Sequence, residues 1–150
     1  MAKSNPLFEK FGRTFVSGEC VFREGDFADN MYIIQRGKVR ISRRMGTVDK
    51  TLAILGDGEF FGEMAVVNNK PRSATATVIE PSSILVVNSK SFESMILGNI
   101  EIAKRMVRKL CERLRDTDQE LERLMVQDKK SRIVTKLIDI AKRTGNFSPK

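Results

Sequence analysis

The sequence predicts a mainly β protein with α, a jelly-roll-like β-roll of the double-stranded β-helix kind followed by one long helix. Three observations predict it. Brief apolar segments recur at roughly 8 to 12 residue spacing. Turn chemistry separates them at Gly25-Asp26, Arg36-Gly37, Gly56-Asp57-Gly58 and Asn68-Asn69. From about Asn99 the apolar residues fall three or four apart instead, which is the period of a helix. The whole fits a double antiparallel sheet better than a parallel α/β fold.

In chain order, a short helix is expected around Pro6 to Phe11. Strands are expected at Thr14-Phe15-Val16, Cys20-Val21-Phe22, Met31-Tyr32-Ile33-Ile34, Lys38-Val39-Arg40-Ile41-Ser42, Thr51-Leu52-Ala53-Ile54-Leu55, Ala74 to Ile79 and Ser83 to Val87. The run Lys38 to Ser42 alternates polar and apolar, so one of its faces should be wet. A helix then runs from Asn99 to about Gln127, with no internal Gly or Pro. Ile100, Ala103, Val107, Leu110, Leu114, Leu121 and Leu124 form a coiled-coil seam in it, with Thr117 filling the one gap. Nearly 40 Å of such a stripe, at about 1.5 Å per residue, has to bury against something. A second copy of the chain is the expected partner, and packing on the chain's own β domain is the alternative. With Leu114 and Leu121 at a positions, Arg113 and Asp118 take g and e positions that permit an interchain ion pair. Thr117 either fixes register at a cost in stability or faces a ligand. Beyond Asp128 a further amphipathic piece, Arg132 to Ala141, stops at Gly145-Asn146. The expected domains are therefore a roll at 1–98, a dimerisation helix at 99–127, and at 128–150 the start of an output domain that is truncated or absent.

Composition narrows the chemistry. The chain has 150 residues, 41% hydrophobic and 31% charged, which suits one core plus an appendage. No apolar run approaches the roughly 20 residues needed to span a membrane, and the Lys3-containing N-terminus has no apolar stretch like a signal peptide, so a cytoplasmic location is expected. There is no histidine, which removes the commonest metal ligand and general base; no catalytic residue and no metal site are expected. Cys20 and Cys111 are far apart and read as buried cytosolic thiols. The net charge of +8 is concentrated late, with 14 basic and 8 acidic residues between 99 and 150. That surplus favours an anionic partner, although a helix rich in Lys and Arg is more often just a solvated face.

The candidate site lies in Phe61-Gly62-Glu63-Met64-Ala65 and Pro71-Arg72-Ser73-Ala74-Thr75. Gly62 lets backbone approach an anion closely, and the amides after it can donate to phosphate oxygens. Ser73 adds a hydroxyl, and Arg72 a planar fork that matches two phosphate oxygens. Glu63 discriminates among anions. A carboxylate repels phosphate and needs a donor, which a ribose 2′-hydroxyl supplies and inorganic phosphate lacks. A structural Glu63–Arg72 salt bridge between neighbouring strands is the other reading of the same pair.

With Arg23-Glu24-Gly25-Asp26, the Tyr32-Ile33-Ile34 to Gly37-Lys38-Val39 hairpin, and Gly56-Asp57-Gly58-Glu59-Phe60-Phe61-Gly62-Glu63, these residues make the chain from Phe22 to Val87 resemble the cyclic-nucleotide-binding domain. Followed by the long helix, it resembles in particular the sensory half of Crp/Fnr-type transcription regulators. The resemblance implies that Gly62, Glu63, Met64 and Ala65 line a ribose-phosphate pocket, that Arg72 and Ser73 hold the cyclic phosphate, and that Ala74 adds a backbone contact. It also implies that Thr117 meets an adenine amino group. The family's next position is usually serine; here it is Asp118, which could accept from the amine or be tied to Arg113. Ala74 leans toward cAMP over cGMP.

The expected function is thus a cyclic-nucleotide sensor, with cAMP as ligand and cGMP possible, that forms a homodimer through 99–127. It uses no cofactor or membrane, and meets DNA only through a C-terminal domain not in this chain. A regulatory subunit acting on a protein partner and a non-binding dimeric scaffold are the alternatives.

Overall fold

The computed structural model describes residues 6–143 and 145. The chain divides between Gly98 and Asn99 into two compact units. In the first, helix α1 (Pro6–Phe11) precedes strands β1 (Gly12–Phe15), β2 (Cys20–Phe22), β3 (Asn30–Met45), β4 (Val48–Leu55) and β5 (Phe60–Phe61). Helix α2 (Glu63–Asn68), strand β6 (Thr75–Asn88) and helix α3 (Ser89–Gly98) complete it. The second unit carries one helix, α4 (Ile100–Arg143).

All strand pairs are antiparallel, in the order β1-β6-β3-β4, with β2 also on β6 and β5 on β3. The result is an unclosed jelly-roll-like sheet followed by a long helix, the expected fold class. Two strand pairs expected from the sequence are single long strands. Met31 to Ile34 and Lys38 to Ser42 both belong to β3, and Ala74 to Ile79 and Ser83 to Val87 merge into β6, which starts at Thr75. Gly37 and Pro81 suggest breaks there, but the ladder absorbs them as irregularities, with register shifts between Ile34 and Arg36, Arg36 and Lys38, and Lys38 and Val39. The shift has a packing purpose. Tyr32 and Ile34 are core residues at even positions and Val39 one at an odd position, so the side-chain parity must change between them. Gly37 sits at φ 111°, and a Cβ there would collide with Ser82.

The core of the roll joins Tyr32, Ile34, Val39, Leu55, Phe61, Ala76, Val78 and Ile84. Apolar side chains of this size gain about 1.5–3 kcal/mol each on full burial, so this cluster holds the sheet on which the site is built. On the face of β3 expected to be wet, Lys38 is exposed but Ser42 is buried. Its ladder neighbours Thr51 and Thr75 are small, and the register shift between Ile41 and Ser42 falls at this point.

Helix α4 continues past Gln127, where an end was expected, to Arg143. No Gly or Pro interrupts residues 100–143, and Asp128, Lys129, Lys130, Ser131 and Arg132 are all tolerated in a helix. Its 44 residues span about 66 Å. The seam leucines Leu110, Leu114, Leu121 and Leu124 remain 41–62% exposed. At the positions where the heptad would continue stand Asp128, Ser131 and Thr135, so the stripe itself ends at Leu124. Gly145, at φ 68°, follows the helix as the expected stop, while Asn146 lies outside the described residues. Neither thiol is buried as expected: Cys20 is half-buried on β2, and Cys111 is exposed because it lies on α4, which has no buried residue. Among the described residues no helix is long and apolar enough to cross a membrane.

Candidate functional site

Arg72 is the centre of the site, and both its backbone and its side chain are held. Its main-chain N–H donates to the Asp26 carbonyl and its own carbonyl accepts from Gly25, each at 2.9 Å. The loop Arg23 to Asp26 can do this because Gly25 adopts φ 88° and the Asp26 carboxylate closes the turn by accepting from the Arg23 amide. Glu24 braces the same loop on two sides: its amide donates to the Thr75 hydroxyl, and its carboxylate accepts from Arg43 Nε and from the Arg44 amide.

The guanidinium belongs to a residue that is only 3% exposed. Its carbon lies 4.1 Å from the centre of the Phe22 ring and 5.5 Å from that of Tyr32. A cation over a ring face gains about 0.5–2 kcal/mol, more when desolvated. Phe22, Tyr32 and Phe61 pack on one another with centroids 5.0–5.8 Å apart, so the aromatic wall is itself part of the core. Nη1 donates to the Gly62 carbonyl at 2.7 Å, and Nη2 donates to the Asn30 carbonyl at 2.6 Å and to Asn30 Oδ1 at 2.7 Å. Nε is buried without a hydrogen-bond partner among the described residues.

This corrects one expectation. Arg72 does not present an intact fork, because a guanidinium sunk against aromatic rings has to satisfy its donors with protein oxygens. Gly62 and Asn30 engage three of its five N–H groups, the Tyr32 hydroxyl adds a further hydrogen bond, and Nε–H has no partner among the described residues. Burial holds the arginine below its ordinary pKa, opposed by the Tyr32 phenol, Asp26 and Glu63. Arg40 also has a buried, unpartnered Nε, so that feature alone makes no site. Arg72 differs in what surrounds it.

Gly62 precedes α2 at φ 76°, a left-handed conformation, and a Cβ there would meet Arg72 Nη1 at 2.5 Å. Glu63 opens α2 half-buried and acts electrostatically on Arg72. Met64 is exposed at the surface and Ala65 is buried beneath it. Ser73 is exposed, its hydroxyl 3.6 Å from Met64 Sδ, which is a weak acceptor. Ala74 is buried just before β6. The first unit thus holds Gly62, Glu63, Met64, Ala65, Arg72, Ser73 and Ala74, and direct contacts tie Gly62 to Arg72 and Met64 to Ser73.

Thr117 and Asp118 belong to the second unit, where both are exposed and the Thr117 hydroxyl donates to the Arg113 carbonyl at 2.9 Å. Among the described residues there is no cluster of three or more metal-ligating side chains.

Sequence reasoning overlooked Asn30, Phe22 and Tyr32 as parts of the site. The aromatic pair carries the strand pattern and reads as core. Asn30 reads as a turn residue before β3, and nothing in its spacing from Arg72, 42 residues away, signals the contact.

The model of the cyclic nucleotide-binding domain family matches residues 12–99. The chain is 32% identical over 129 residues to the cyclic AMP receptor protein of Thermus thermophilus, covering 85% of this chain and 60% of the relative. To the CRP-like cAMP-activated global transcriptional regulator of Mycobacterium tuberculosis it is 34% identical over 132 residues, covering 87% of this chain and 59% of the relative. The crystal structure of Thermus thermophilus catabolite activator protein superposes with a TM-score of 0.68 at 32% identity, covering 82% of this chain and 61% of that one. The chain therefore spans about 60% of the length of these relatives.

Proposed function

We propose that this chain, which belongs to the cyclic nucleotide-binding domain family, is the cAMP-binding sensor module of a CRP-like transcription regulator and acts as a binding protein, not a catalyst, in the cytoplasm. Arg72 and Ser73 take the cyclic phosphate, with Gly62 giving the backbone room to approach it. Glu63 accepts from the ribose 2′-hydroxyl, Met64 and Ala65 flank the sugar, and Ala74 contributes its main chain. Helix α4 pairs with that of a second copy through 99–127, where Thr117 meets the adenine amine and Asp118 supplies a further acceptor. Ligand biases the packing of the two helices, a coupling of about 1–3 kcal/mol in typical cases. DNA is read by the part of the relatives' length that this chain does not span.

The observation that carries the reading is the state of Arg72. A cation is fixed at backbone and side chain, walled by aromatic rings, and left with a buried donor that has no partner among the described residues. A phosphate oxygen is the acceptor such a donor lacks, and charge-assisted hydrogen bonds are among the stronger ones available. The relatives named for cyclic AMP support cAMP as the nucleotide.

The test is titration calorimetry with cAMP, cGMP, a cyclic dinucleotide and inorganic phosphate. Tightest binding is expected for cAMP and none for phosphate. Arg72→Ala removes one member of a charge pair and is expected to cost about 2–5 kcal/mol of binding, roughly 30- to 4,000-fold in affinity. Unchanged cAMP affinity in that variant would overturn the phosphate assignment.

A further inference from the structure

The three hydrogen bonds that the Arg72 guanidinium gives to Gly62 and Asn30 all end on electrically neutral oxygens. Two of the three belong to one residue. Asn30 accepts from Nη2 through its carbonyl and again through Oδ1, closing both N–H groups of that nitrogen. The Tyr32 hydroxyl also approaches Asn30 Oδ1, at 3.4 Å. An amide oxygen satisfies a guanidinium donor without cancelling its charge, whereas a carboxylate at the same place would satisfy the donor and neutralise the cation. Two acids, Asp26 and Glu63, already act on this cation.

We propose that Asn30 is the positioning residue of the anion site: it clamps Nη2 of Arg72 with two neutral acceptors, which fixes the guanidinium against Phe22 while leaving its positive charge and its Nε–H for the ligand. The inference rests on the reading of Arg72 as the phosphate partner. It adds that the amide at position 30 is a requirement of charge as well as of shape. An acid there would give the fold a better ion pair and the ligand a worse site, since the new carboxylate both discharges the guanidinium and repels the phosphate. Opposite effects on stability and binding are the signature that separates this role from a merely structural one.

The experiment compares the parent with Asn30→Asp and Asn30→Ala by cAMP calorimetry and by urea unfolding without nucleotide. Asn30→Asp is expected to raise or keep the urea midpoint yet weaken cAMP binding roughly 10- to 100-fold, the order of size of a like-charge repulsion between partly buried groups at an effective dielectric near 20. Asn30→Ala keeps the main-chain acceptor and is expected to lose about three- to tenfold in affinity with a lower urea midpoint. The affinity order is then Asn, Ala, Asp, while the stability order places Ala last. Affinities that simply follow the urea midpoints, or an Asp variant that binds cAMP like the parent, overturn the proposal. Should the Asp variant fail to fold, the acid is not tolerated in an ion pair with Arg72 and the proposal fails on that ground. A parent that binds no cyclic nucleotide removes the ligand reading itself, a result distinct from a binding parent with indifferent variants.

Discussion

Gly62 and Arg72 fit each other through one contact: Nη1 donates to the Gly62 carbonyl at 2.7 Å, and the same nitrogen lies 2.5 Å from where a Cβ on residue 62 would be. Gly62→Ala therefore forces both an unfavourable left-handed φ, about 1–2 kcal/mol for a residue with a side chain, and a displacement of the guanidinium. The variant is expected to unfold at lower urea by at least that much and to bind cAMP more weakly. A variant as stable as the parent would show that the backbone at 62 is free to relax.

Glu63 stands half-buried at the first position of α2. If it accepts from a ribose hydroxyl, Glu63→Ala weakens cAMP binding by the value of one hydrogen bond to a charged group, about 1.5–3 kcal/mol, but leaves 2′-deoxy-cAMP binding nearly unchanged. Calorimetry with the two nucleotides checks this. Equal losses for both would assign Glu63 to the fold and not to the sugar.

Tyr32 is the only tyrosine and the chain has no tryptophan, so phenolate absorbance reports this one ring beside Arg72. Burial raises its pKa, against the lowering effect of Arg72 and Arg13. In the folded protein it should ionise above the usual value of about 10, and Arg72→Ala should push it higher still. The unfolded chain releases this proton first, so the contribution to stability is intact below pH 10 and is lost as the pH rises through the folded-state value. A spectrophotometric alkaline titration, native and in urea, measures both. Coincident curves would contradict the buried setting.

Leu114 lies in the middle of the α4 stripe and is 62% exposed. If two copies pair along this seam, Leu114→Glu places two acids face to face in it and should convert dimer to monomer in sedimentation velocity at equal concentration. A parent that already sediments as a monomer would remove the seam as an interface.

How much of this could be read in the sequence depended on the range of each interaction. Gly62, Glu63, Arg72 and Ser73 fall within a dozen residues and carry opposite charges in an apolar setting, so their chemistry was legible. Asn30 was not, because its role arises only when β3 brings it to a side chain far along the chain. The strands showed the same limit. Gly37 and Pro81 have the local signature of breaks, and only the ladder between β3 and β6, with its parity change between Ile34 and Val39, turns them into irregularities of continuous strands. Helix α4 was legible as a helix, but its extension to Arg143 was obscured where the apolar pattern changes phase at Asp128. Strand β5 is two residues long, too short for a period to show, and helix α3 offers only Phe92, Met95 and Ile96 at helical spacing within ten residues.

Strand β6 begins three residues after Arg72 and borders β1, β2 and β3. It is thus the seam thread of the whole roll, and any ligand that tightens Arg72 tightens the thread at its first stitch. Amide hydrogen exchange should then slow well beyond the cradle, along Thr75 to Asn88 and into its three neighbours, so that a ligand held at Arg72 would be registered as the stiffness of four of the six strands.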